Sequence, residues 1–159
     1  MSDPLATYLH DHLAGSVHAV SLLEFLRDQH ERDPLGRFAS GLLAEIEQDR
    51  ETLKQLADRT GAGSSEIKEL TAWLSEKVTR LKLRHGDDGL GTFEALEFLE
   101  LGIHGKWALW RALGVVASSD TRLRGIDFEH LAARAEAQRN SVEERRLETA
   151  REVLPRSRQ

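Results

Sequence analysis

Carboxylate and imidazole groups recur on one narrow stripe of the segment Thr92 to Val116, TFEALEFLELGIHGKWALWRALGVV. At about 100° per residue, Glu97, Glu100, His104 and Arg111 share that stripe. Glu100 and His104 stand one turn apart, so a carboxylate and an imidazole can share a cation. A second helical segment sets Asp49 within the apolar face of Leu42, Ile46, Leu53 and Leu56, with Glu45 one turn earlier. Glu45, Asp49, Glu97, Glu100 and His104 are therefore candidate ligands for a divalent metal ion. A buried carboxylate can instead be matched by arginine, and an unmatched one is costly. On the last helical segment, Gln138, Arg139 and Arg146 fall on or beside the seam of Phe128 and Val142. A guanidinium fork fits a carboxylate and fills the space a metal would take. The sequence favours this second solution: a buried polar network of Asp49, Arg139 and Arg146, with Asp49–Arg139 the preferred pair and no cofactor.

The elements that must position these groups are helical. Asp3-Pro4 and Asp33-Pro34 each put an N-cap acid before a proline at the first helical position. Glycines mark most other breaks, and Pro155 follows the last periodic stretch. Five helices are predicted, over 4–31, 34–60, 65–85, 92–116 and 127–154. No run alternates with period two, so strands are not expected. The segment 92–116 is apolar on two sides. Leu96, Leu99, Ile103, Trp107 and Trp110 line one face; Phe98, Leu101, Leu109 and Ala112 line another, beside Gly102 and Gly105. Such a helix is expected to be covered twice. The segment 65–85 carries a plain stripe of Ile67, Leu70, Leu74, Val78 and Leu81.

The chain resembles the ferritin-like superfamily. The motif EIEQD (Glu45 to Asp49) lies midway along the second helix and ARAEAQR (Ala133 to Arg139) in the last, where that superfamily carries metal-binding motifs. The resemblance implies an all-α fold: an antiparallel ferritin-like four-helix bundle with one additional helix, 65–85, in a single domain over 1–159. Active members take a glutamate from each of two helices and Glu-x-x-His from the other two. Here that spacing gives Glu45 with Gln48, or Ile46 with Asp49, and Glu136 with Arg139, so no imidazole falls at either place. The function expected is a non-enzymatic structural or interaction role, stress-associated by resemblance alone. A di-iron or di-manganese oxidase or storage protein is the alternative, and a binder of small apolar ligands a third reading.

With 159 residues, the chain is long enough for one core without staples. It has no cysteine, which excludes disulfides and thiolate chemistry. A net charge of −5 argues against nucleic acid as a main partner. No basic segment with a following apolar run opens the chain, and Lys106 and Arg111 interrupt its most apolar stretch. A cytoplasmic protein with no membrane partner is expected. The apolar excess near Trp107 and Trp110, or Leu22, Phe25 and Leu26, packs internally or forms a homodimer interface. His10, His12 and His18 splay around their helix and cannot readily share one ion.

Overall fold

The Asp-Pro pairs start two helices as expected, by different means. The structure, a computed structural model, describes residues 2–61, 75–80 and 89–155. Asp3 caps α1 (Pro4–Gln29), its carboxylate accepting from the backbone N–H of Leu5 at 3.1 Å and of Ala6. Asp33 occupies the same position before α2 (Pro34–Arg59), but its carboxylate turns to His30 Nδ1 at 3.1 Å. Two further long helices follow, α3 (Leu90–Val116) and α4 (Phe128–Val153), with a single 3-10 turn at Thr121–Leu123 between them. Residues 75–80 are helical and Val78 is buried. The rest of the helix expected over 65–85, with Ile67, Leu70, Leu74 and Leu81, lies outside the described residues.

Short turns fold the helices into two antiparallel hairpins, α1 with α2 and α3 with α4. In the first, Arg50 Nε donates to Ser16 Oγ at 2.9 Å. In the second, Trp110 faces Phe128 with ring centroids 6.2 Å apart. The hairpins meet with α1 against α3 and α2 against α4. His30, ending α1, reaches Thr92 Oγ1 at the start of α3 at 2.9 Å. Asp3, starting α1, pairs with Arg122 just beyond α3. Arg59, ending α2, donates to the carbonyls of Arg122 at 3.0 Å and Arg124 at 2.9 Å. Thus α1 and α3 are antiparallel, while α2 and α3 run the same way. The chain leaves α2 at one end and enters α3 at the other, about 39 Å away for a 26-residue helix.

All four helices contribute to one core. Leu9, Leu23 and Leu26 of α1 meet Ile46 and Leu56 of α2, Leu96, Leu99 and Ile103 of α3, and Val142 of α4. On α4 the core positions include Ala132 and Ala135, so close backbone approach replaces large side chains there. The expectation that α3 is covered on two faces holds in part. Leu96, Leu99, Ile103 and Trp110 are buried on one face; on the other Leu109 is buried and Phe98 half-buried, but Leu101 is 58% exposed and Ala112 is exposed. Among the described residues no helix is long and apolar enough to cross a membrane.

The turn between α1 and α2 depends on Gly36. A Cβ there would stand 2.0 Å from the His30 carbonyl oxygen, a backbone atom that cannot swing away. Gly36→Ala is expected to cost about 3 kcal/mol by overpacking. Gly41→Ala on the same helix meets nothing within 4 Å and is expected to add about 0.5–1 kcal/mol from helix propensity. Urea denaturation of the two variants checks both signs.

Candidate functional site

At mid-height, three helices aim polar side chains into the core. Asp49 of α2 is 3% exposed and Gln138 of α4 is 4% exposed. Lys106 of α3 reaches between them, its Nζ donating to Asp49 Oδ2 at 2.5 Å and to Gln138 Oε1 at 2.5 Å. The Gln138 amide donates back to Asp49 Oδ2 at 3.3 Å. Arg134 of α4 closes the cluster. Its Nε lies 3.6 Å from Asp49 Oδ1 and 3.7 Å from Glu45 Oε1, while Nη2 donates to the Glu45 carbonyl and to Gln48. Burial pushes the Lys106 ammonium below its usual value, and the Asp49 charge beside it pulls the other way. A buried charge of this kind survives only when both members are paired and their remaining bonds are made.

This network corrects the pairing read from the sequence. Asp49 is buried and matched, but by Lys106, Gln138 and Arg134. Arg139 instead binds Glu100 at 2.5 Å, with its own side chain 44% exposed. Arg146 binds Glu143 at 2.7 Å and Glu97 at 3.3 Å, nearer the surface. The rotation of α4 explains the difference. Gln138 and Val142, one turn apart, point inward, which leaves Arg139 on the flank facing Glu100. Lys106 was legible in the sequence. On α3 it falls within about 60° of Leu99, Ile103 and Trp110, the buried face.

The five candidate metal ligands do not come together. Glu45 and Asp49 turn toward Arg134 and Lys106, Glu97 and Glu100 toward Arg146 and Arg139. His104 is exposed and stacks on Trp107, ring centroids 5.3 Å apart. Among the described residues no three His, Asp or Glu side chains sit where they could hold one ion. The residues present do not fit a di-metal centre: Asp49 is taken up by the Lys106 ammonium, and Glu45, Glu97 and Glu100 stand beside arginines. The patches considered for a homodimer are mostly interior. Leu22, Phe25, Leu26 and Trp110 are buried within the chain, and Trp107 alone is half-buried.

Beside the network, α1, α2, α3 and the stretch 75–80 line a cavity of about 470 Å³. Its wall is mainly apolar, with Leu22, Ile46, Leu53, Phe98, Ile103 and Leu109. Small residues open it. Gly15, Gly102 and Gly105 line the space, and a Cβ at any of them meets nothing within 4 Å. The space is a cleft partly open to solvent, bordered by the exposed Leu101 and Gly102. A dry apolar cavity of about 150 Å³ holds a benzene, so this one has room for a molecule about three times larger.

Two buried nitrogens on the cavity's lining residues have no partner: His18 Nε2 and Trp110 Nε1. Each unmade bond costs about 1–3 kcal/mol. Burial lowers the proton affinity of His18; it does the same for His12 at the cavity wall, where Asp11 acts in the opposite direction. The more polar part of the lining is Asp11, Ser16 and Arg50. There Ser16 Oγ accepts from Arg50 and donates to the Leu13 carbonyl at 2.6 Å, so its hydroxyl is committed.

Lys106→Met strands the Asp49 carboxylate and is expected to cost about 3–5 kcal/mol in urea denaturation. Adding Asp49→Leu is expected to recover most of that loss. The imidazoles predict a pH dependence. His12 and His18 hold protons less tightly folded than at their ordinary value of 6.5. The unfolded chain therefore takes up protons first as the pH falls through that value, so stability is full above it and declines below. The urea midpoint is expected to drop between about pH 7.5 and about pH 5.5, and less so in the variant with His12→Gln and His18→Gln.

Comparison with protein-family models, with curated proteins and with solved structures finds no match to this chain.

Proposed function

We propose that the chain is a binding protein for a small, mainly apolar molecule held between α1, α2 and α3. The observation that carries this reading is the cavity of about 470 Å³, walled by apolar side chains and kept open by three glycines. Ligand pockets occupy roughly 300–1,000 Å³ and combine apolar walls with a few placed polar groups. This is the third of the readings that the sequence offered, taken here in place of the structural or interaction role, and it involves no turnover. Nothing in the chemistry of the wall favours the alternative oxidase or storage role, because the carboxylates are committed to arginine and lysine.

The same reading gives the bundle its purpose. We take the two hairpins as an antiparallel four-helix bundle of ferritin-like connectivity, with one crossover between α2 and α3 and an additional helix on that crossover. The buried ammonium of Lys106 then occupies the position where such a bundle would carry metal. The crossover contributes Lys77 and Val78 to the cavity wall. We place the protein in the cytoplasm, as the sequence reading expects.

Titration with the neutral fluorophore N-phenyl-1-naphthylamine tests the reading. Saturable binding of one molecule per chain is expected, with a Kd on the order of micromolar. Gly15→Leu and Gly105→Leu each put a side chain into the cavity and are expected to weaken binding at least about tenfold, while thermal melts show both variants folded. Binding that does not saturate, or that both variants retain, would contradict it.

A further inference from the structure

We infer that the occupant of the cavity is an amphipathic monocarboxylate, its apolar tail between α1, α2 and α3 and its carboxylate on the guanidinium of Arg50. This rests on the cavity being a ligand site and goes beyond it by naming the charge of the occupant and the group that receives it. Arg50 of α2 is exposed and lines the cavity, so it stands where the apolar wall meets water. Its Nε donates across to Ser16 Oγ of α1 at 2.9 Å, and Ser16 donates in turn to the Leu13 carbonyl at 2.6 Å. Ser16 lines the cavity too. The guanidinium is therefore held at the cavity's edge, tied to both helices. Its donors form a planar fork. Ser16 takes the Nε–H, while the N–H groups of Nη1 and Nη2 have no partner among the described residues. That end of the fork takes two carboxylate oxygens side by side.

The missing counter-charge sets Arg50 apart. Arg134, Arg139 and Arg146 also tie one helix to another, and each faces a carboxylate of its neighbour: Asp49 and Glu45, Glu100, and Glu97 in turn. Among the described residues Arg50 pairs with none, Asp11 and Asp49 on the same wall included. The Asp49 carboxylate is held by Lys106. The lining as a whole carries three cations, Arg50, Lys77 and Lys106, against those two carboxylates, one positive charge in excess. Burial shifts His18 and His12 toward their neutral forms, with Asp11 acting against it at His12. A single anionic group balances the lining. Its place at the exposed edge limits the cost, because a carboxylate there keeps part of its water. The tail lies deeper, where Leu22, Leu53 and Ile103 are buried and line the space, and removes apolar wall from water.

Three probes of similar length separate the possibilities: decanoate, 2-undecanone and decylammonium, each titrated by calorimetry against the full chain at neutral pH. Decanoate and 2-undecanone differ only in a carboxylate oxygen exchanged for a methyl group. Decanoate is expected to bind at least about tenfold more tightly than the ketone, and decylammonium more weakly than either. Arg50→Gln is expected to bring decanoate down to the ketone's affinity, with ketone binding kept within about threefold as proof of an intact cavity. Arg50→Lys keeps the charge without the fork and is expected to retain part of the preference. Decanoate binding no tighter than the ketone, tightest binding of decylammonium, or a preference undiminished in Arg50→Gln overturns the inference and leaves the cavity reading standing. Binding of N-phenyl-1-naphthylamine with none of the three does the same. If the fluorophore does not bind either, both fall together.

Discussion

The ammonium of Lys106 and the carboxylate of Asp49 form the contact on which the rest of the structure depends. They join α3 to α2, which run in the same direction, and Gln138 brings in α4. Hydrophobic burial is non-directional and would accept several rotations of these helices. A buried ion pair accepts very few, because any rotation that separates the charges strands one of them in the core. The pair therefore sets the register in which Ile46, Ile103 and Val142 meet. The outer ion pairs act differently. Glu100 with Arg139 and Glu97 with Arg146 lie closer to water, and pairs of that kind contribute little individually.

That register also shapes the cavity. With Lys106 turned to α2 and α4, the neighbouring positions Gly102 and Gly105 of α3 line the cavity, as does Gly15 of α1. Glycines on a cavity wall leave a gap unless large residues fill it from elsewhere. Here Leu101 stays 58% exposed, at the cavity lining, instead of closing it. The fold thus contains a firmly matched polar centre next to an unfilled apolar space. Among the described residues that line it, His18 and Trp110 each carry a buried side-chain nitrogen without a partner.

Much of the fold was legible because it follows from local rules. The prolines after Asp3 and Asp33 start helices where they should, and the four long helices end within two residues of the ranges expected. The burial of Asp49 was legible too, since it interrupts an otherwise apolar stripe. Its partner was harder to see. Lys106 read as a break in an apolar run, when its angular position placed it on the buried face. Arg139 was the more obvious cation, yet a rotation that buries Gln138 turns it outward. Such choices depend on how helices are rotated against one another, and periodicity in one helix carries no information about its neighbour's rotation. The cavity was less legible still. Glycines within a helix can mark close approach as readily as open space, and only the packing of α1 beside α3 decides which.

The central claim is that the space between α1 and α3 is a preformed, apolar binding cavity, and a crystal structure under xenon pressure tests it most directly. The account predicts ordered xenon beside Leu22 and Ile103, with the Lys106–Asp49 pair intact and α1 and α3 unmoved. A structure without xenon, in which Phe98 and Leu101 have turned inward to fill the space against Gly15, would contradict it.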